Sequence, residues 1–170
     1  MEFSVIQGDI AAQRADALVN AAGTSLQMGS GVAGALRRAA DGPINEAAVA
    51  EGPVDLGEVA VTDSFGLDAE YVLHAAAMPH YGDGRATAES VEDATRNALA
   101  RADELGCRSA VLPVLGTGAA GLDFETGARV VCETVDEFEP VGVLADVRVI
   151  AYSDAEYERL EAVAESVRSR

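Results

Sequence analysis

Residues 112–123 read LPVLGTGAAGLD. An apolar run, Ser109–Leu115 (SAVLPVL), feeds into Gly116, Gly118 and Gly121, and a helical pattern begins just beyond them. Glycine disfavours both helices and strands, so this density marks a place where bare backbone is needed. A loop that leaves a buried strand and enters a helix exposes unpaired N–H groups. The helix macrodipole adds about half a positive charge at that end. Such a loop suits a phosphate. It equally suits a tight strand–helix turn in which glycine serves conformation alone.

The same grammar occurs earlier in the chain. Residues 20–34 read NAAGTSLQMGSGVAG, with Gly29, Gly31 and Gly34 again placed between a short apolar strand, Ala17–Asn20, and a helix, Val32–Ala40. Two such loops at one edge could hold the two phosphates of a diphosphate between them. Neither fits the phosphate-loop pattern GxxxxGK(S/T), since the lysine is missing. Neither fits GxGxxG followed by an acidic residue on a second strand. ATPase and dehydrogenase readings both lose ground. The loops must act mainly through backbone amides and through hydroxyls such as those of Ser30 and Thr117.

Working outward, strand-like and helix-like segments alternate to the end of the chain. Phe3–Gln7, Val59–Thr62, Tyr71–Ala75 and Val147–Tyr152 read as strands. Pro43 opens a short helix running to about Glu51. Val91, Ala94, Ala98, Ala102 and Leu105 mark a helix over Thr87–Leu105, closed by Gly106. Phe124, Ala128, Val131, Val135 and Phe138 mark another, with Asp123 placed to cap it. Ser153-Asp154-Ala155-Glu156 is a capping box ahead of a final helix whose inner stripe is Tyr157, Leu160, Val163 and Val167. The pattern predicts one domain over residues 1–170, a three-layer α/β/α sandwich with a mixed central sheet. In such folds ligands collect outside the carboxyl ends of the strands. Asp9, the 20–34 loop, the 116–121 loop and Tyr152 all fall there.

Composition narrows the partners. The net charge is −17, and all 12 basic residues are Arg, with no Lys anywhere. A nucleic-acid surface needs a basic face, which this chain lacks. An acidic, Lys-free chain suits concentrated salt, where the Debye length shrinks to about 3 Å at 1 M and self-repulsion is screened. A GC-rich coding bias also favours Arg over Lys. With 49% hydrophobic residues the chain can build a core, yet no apolar run is long enough to span a membrane. Cys107 and Cys132 lie outside any CxxC pattern and read as two reduced thiols. The expectation is a cytoplasmic monomer with no secretory signal, no metal and no cofactor.

The ordered motifs resemble a known family. GDI at Gly8–Ile10, NAA at Asn20–Ala22, GSGVAGAL at Gly29–Leu36, VLHAAAMP with His74 and Pro79, and PVLGTGAAG at Pro113–Gly121 are similar in order and spacing to the macro domain, which binds ADP-ribose. The resemblance covers nearly the whole chain. It implies that Asp9 accepts a hydrogen bond from the adenine amino group, with the Ile10 amide beside it, and that Tyr152 stacks on the adenine. It places Asn20, Ala21 and Ala22 along the distal ribose. The amides of Gly31, Val32 and Ala33, and of Thr117, Gly118, Ala119, Ala120 and Gly121, would wrap the diphosphate, with Gly29, Ser30, Gly116 and Leu122 completing the two loops. The partners implied are ADP-ribose or ADP-ribosylated molecules.

Plainer readings stand beside these. Asp9 can serve a Gly-Asp turn, Tyr152 can be a core aromatic, and Asn20 can bond local backbone. His74 reads as a satisfied core histidine, and the loop of His80 and Tyr81 either gates the cleft or is simply exposed. The match also has gaps. Hydrolytic members of the family carry Asn where Gly23 stands, Asp where Ala33 stands, and often an aromatic where Ala120 stands. A lysine nucleophile is excluded, and no paired glutamates stand near Gly29–Gly31. Asn20 is left as the one polar candidate near the reactive end. The resemblance therefore favours a binder of ADP-ribose, with removal of ADP-ribose from adducts or deacetylation of its O-acetyl form as the alternative.

Overall fold

Strands with apolar residues on both faces are buried only between two layers of helices, and that is the arrangement found. The computed structural model describes residues 1–80 and 82–170. In chain order the elements are β1 (Glu2–Gln7), β2 (Ala17–Gly23), α1 (Gly31–Ala39), α2 (Ile44–Ala50), β3 (Val59–Asp63), β4 (Tyr71–Met78), α3 (Ala88–Glu104), β5 (Ser109–Pro113), α4 (Phe124–Glu137), β6 (Asp146–Ala151) and α5 (Asp154–Arg168). Short 3₁₀ turns at Ile10–Ala12 and Gly118–Ala120 follow β1 and β5.

Among the described residues the strands form one sheet in the order β1-β6-β5-β2-β4-β3. Neighbours are parallel except β3 and β4, so the sheet is mixed, as expected. Alternation along each strand divides the core. Ala17, Val19, Leu73, Ala75, Leu112 and Val149 face the layer of α3, α4 and α5. Leu18, Ala22, Val72, Val111 and Ile150 face α1 and α2. No helix among the described residues is long and apolar enough to cross a membrane.

The caps fall where the sequence places them. Asp123 accepts from the Thr126 N–H, and Ser153 accepts from the Glu156 N–H. Three strand ends lie two or more residues from expectation, the first being β2, which runs on to Gly23 rather than stopping at Asn20. Strand β4 runs on to Met78 rather than stopping at Ala75, because Ala75 and Ala76 lie in register with Ala21 and Ala22 of β2. The partner strand overrides alanine's weak preference for extended structure. Strand β5 stops at Pro113, so Val114 and Leu115 belong to the loop that follows.

A carboxylate fixes the far end of the molecule. Asp103, on the last turn of α3, is buried and accepts from the N–H groups of Val141, Gly142 and Leu144. These bonds, led by the one from Leu144, hold its carboxyl below the usual carboxylate range. They set the path from α4 into β6. Asp103→Ala leaves three amides unpaired, and chemical denaturation should show a loss of about 2–3 kcal/mol.

Candidate functional site

The sheet splits at its centre. Strands β2 and β5 are in register only at Ala17–Ala110 and Leu18–Val111. Just beyond, β5 reaches Pro113, which has no N–H with which to continue a ladder. Strand β2 stays with β4, and β5 stays with β6. The loops that leave the two strands then run to opposite helix layers, α1 on one face and α4 on the other. A crevice at such a reversal of strand order is where open α/β sheets take ligands.

A cavity of about 1160 Å³ occupies it. One end is lined by Gly8, Asp9, Ile10, Ile150 and Tyr152, from the ends of β1 and β6. The middle is lined by residues of both glycine loops, Gly29–Ala33 and Gly116–Ala120. The other end is lined by Gly23, Ser25, Ala77, Met78 and His80, from the ends of β2 and β4. Four strand spacings separate β1 from β4, so the cavity crosses roughly 19 Å of sheet edge. A smaller groove of about 500 Å³, lined by Arg14, Asp16, Asp68 and Arg148 among others, lies away from both glycine loops.

The two loops present their backbones differently. Gly31, Val32 and Ala33 form the first turn of α1, whose N–H groups have no partner within the helix. Ser30 is the N-cap, yet its hydroxyl makes no capping bond. At the second loop Gly118 has φ +68°, with open space where a Cβ would lie. Gly116 has φ +81°, and a Cβ there would run into Val91. Conformation and crowding both require glycine at Gly116, whereas at Gly118 the backbone angle alone does. Arg38 of α1 also lines the cavity, with Glu156 on the β6 side. One arginine therefore stands at a site expected to work mainly through backbone amides and hydroxyls.

Most of the residues singled out from sequence gather here. Asp9, Ile10, Ala21, Ala22, Gly29, Ser30, Gly31, Val32, Ala33, Gly116, Thr117, Gly118, Ala119, Ala120 and Tyr152 all line the cavity. Tyr152 is 75% exposed, which excludes the core-aromatic reading. Asp9 uses one carboxylate oxygen to cap the 3₁₀ turn through the Ala11 N–H, 2.9 Å away. Its turn role is real, and it leaves Oδ2 uncommitted. Thr117 is turned inward, its hydroxyl donating to the Val114 carbonyl at 3.0 Å, so it offers amide rather than hydroxyl hydrogen.

Three residues do not line the cavity. Gly121 and Leu122 lie behind the second loop. A Cβ on Gly121 would press on the Arg85 side chain, and the Leu122 N–H closes the turn onto the Gly116 carbonyl. Asn20 is fully buried on the α1/α2 face of the sheet, one strand position below Ala22. Its Nδ2 lies 3.0 Å from His74 Nδ1, and His74 Nε2 lies 2.9 Å from Thr62 Oγ1. The Thr62 hydroxyl donates to the Asp63 carbonyl, so His74 donates from Nε2 and accepts at Nδ1. Asn20, His74 and Thr62 form a row across β2, β4 and β3. Asn20 is tied into the sheet through Nδ2, with its buried Oδ1 left without a partner among the described residues, and His74 is the core histidine the sequence suggested. Sequence reasoning missed Ser25, Arg38 and Met78; Tyr81 lies outside the described residues. The thiols of Cys107 and Cys132 are buried, and burial pushes them up to about 11 and about 12, so neither is a thiolate near neutral pH.

With this geometry in place, comparison with known proteins is informative. The macro domain family model matches residues 19–131, and the chain belongs to that family. It is 39% identical to an uncharacterized protein of Sulfolobus acidocaldarius over 162 residues, covering 92% of this chain and 87% of that one. It is 36% identical to an uncharacterized protein of Mycobacterium tuberculosis, covering 91% of this chain but 42% of that one. The Oceanobacillus iheyensis macrodomain with ADP superposes with a TM-score of 0.86 at 25% identity, covering 97% of this chain and 90% of that chain. The Trypanosoma brucei macrodomain in complex with ADP-ribose gives 0.81 at 25% identity, covering 94% and 68%. These organisms do not bear out the high-salt reading of the composition.

Burial lowers the His74 imidazole from 6.5 to about 4. Between those values the unfolded chain takes up a proton that the folded chain refuses. This contribution to stability is therefore complete above pH 6.5 and is lost as pH falls towards 4, by up to about 3 kcal/mol. Denaturation curves recorded from pH 7 to pH 4 should fall more steeply for the native chain than for His74→Gln.

Proposed function

We propose that the chain binds ADP-ribose, free or attached to another molecule, along the cavity between β2 and β5. The observation that carries this reading is that two separate glycine loops, one at the start of α1 where the first N–H groups have no partner within the helix and one at Gly116–Ala120, line a single cavity. A diphosphate presents acceptors in both directions and carries negative charge, which amides and a helix N-terminus accommodate together. The Ser30 hydroxyl and Arg38 add donors beside the α1 amides. The macrodomain structures from Oceanobacillus iheyensis with ADP and from Trypanosoma brucei with ADP-ribose support the choice of ligand.

The orientation follows from the ends of the cavity. Asp9, with one carboxylate oxygen uncommitted, and the exposed ring of Tyr152 suit a flat base bearing an amino group. The adenine goes to the β1/β6 end. The distal ribose then reaches the β2/β4 end, against Gly23, Ala77 and Met78.

Titration calorimetry with ADP-ribose tests the reading. Gly118→Val places a branched side chain at φ +68° in the open space of the second loop. It should weaken binding about tenfold or more while costing about 1–2 kcal/mol of stability. Because the chain carries −17 and offers the cavity one arginine, affinity should hold or rise as KCl goes from low to molar. A steep loss with salt, or no heat with ADP-ribose, would overturn the assignment.

A further inference from the structure

Several polar side chains along the cavity already have partners. At the β2/β4 end Ser25 Oγ lies 2.8 Å from His80 Nδ1, and the His80 N–H donates to Thr24 Oγ1 at 3.1 Å. Gly23 eases that approach, since a Cβ there would lie 3.1 Å from the Pro79 carbonyl oxygen and 3.5 Å from His80 Cα. In the first turn of α5 the Asp154 carboxylate accepts from Gln7 Nε2. Glu156, two residues on, is different. It is half-buried, lines the cavity and forms no ion pair among the described residues. Its Oε1 has the Ser153 hydroxyl at 3.3 Å, while Oε2 has no donor among the described residues.

Sheet order fixes where along a ligand Glu156 stands. Strand β6 lies between β1, which leads to Asp9, and β5, which feeds the second glycine loop. Neighbouring strands are about 4.8 Å apart. Glu156, carried on the helix that follows β6, therefore falls between the base and the diphosphate, the interval that the adenosine ribose spans. Helix α5 packs against α4, so Glu156 comes from the same face as the second loop. Arg38, the one arginine lining the cavity, belongs to α1, with Nη1 held against Gly34 beside the first loop. An ionised carboxylate only accepts, and the two neighbouring hydroxyls of a ribose offer it two O–H donors. A phosphate on that ribose would instead bring a charge of about −1.5 to −2 against it. Asp9 lines the same end, so such a phosphate faces two carboxylates.

We propose that Glu156 is a specificity residue: it accepts from the free hydroxyls of the adenosine ribose and makes the site reject ADP-ribose that carries a 2′-phosphate there. This rests on the orientation proposed above, with the adenine at the β1/β6 end. Two effects add. The free diol gains charge-assisted hydrogen bonds to Oε2. The 2′-phosphate forfeits one of them and meets like charge in a partly enclosed site.

The test is titration calorimetry of the full chain in about 1 M KCl, where screening removes most of the long-range field. Three ligands are compared: ADP-ribose, its adenosine 2′-phosphate and its 2′-deoxyadenosine analogue. The native chain should bind ADP-ribose about tenfold or more tighter than either of the others. Glu156→Gln keeps the side chain's shape and the helix start, and it should narrow both ratios by about threefold or more. Glu158→Gln removes the same unit of charge from an exposed position of α5 that does not line the cavity, and it should leave both ratios at their native values. If the native chain binds ADP-ribose but Glu156→Gln leaves the ratios unchanged, Glu156 serves only the start of α5, and the proposal fails while the binding reading stands. If Glu158→Gln narrows the ratios as much, net charge is the cause and the proposal fails. If ADP-ribose does not bind at all, the binding reading fails and takes this one with it.

Discussion

The central constraint is that β2 and β5, neighbours at the middle of the sheet, stay paired only at their first two positions, while each keeps its other partner. Strands β2 and β5 share a ladder at Ala17–Ala110 and Leu18–Val111, and it lapses before Leu112 and Pro113, which stay in register with β6. Everything at the site follows from that divergence. The ends of the two strands turn to opposite helix layers. Their loops face each other across the gap. Backbone groups that a continuous sheet would have consumed become available to a ligand. The cavity is a consequence of the hydrogen-bond pattern of the sheet rather than a hollow added to it.

The polar residues beneath and beside the gap divide into two kinds. Asn20, His74 and Thr62 run across three strands on one buried face, and burial keeps the imidazole neutral so that it can both give and accept. Ser25 and His80 sit higher, half-buried, at the mouth of the same strands. Both rows use a histidine on or just after β4. The first serves the sheet, and the second faces the cavity. The difference is a matter of six positions along one strand and its loop, since His74 lies within β4 and His80 follows its end at Met78.

How far the sequence alone reached is clear from particular elements. The helices α4 and α5 were legible because apolar spacing and capping residues agree, as at Asp123 and Ser153, and α3 because its apolar spacing runs up to Gly106. The two glycine loops were legible because glycine is costly and clustered. The inward turn of the Thr117 hydroxyl was not, since it depends on the loop's path past Val114. Nor was the fate of Asn20. Its side-chain direction follows from strand register against His74, which lies far away in sequence. The Ser25–His80 contact was hidden for the same reason, and so was the approach of Arg38 to the cavity. Contacts made by neighbouring strands leave no local pattern for periodicity to find.

The close fit of Gly23 against Pro79 and His80 bears on how this lineage can change. A side chain at position 23 would bring its Cβ to 3.1 Å from the Pro79 carbonyl oxygen, so the loop that carries His80 must give by a few tenths of an ångström. Position 23 and the segment 79–80 are thus packed as one unit, and a substitution at the first is felt at the second.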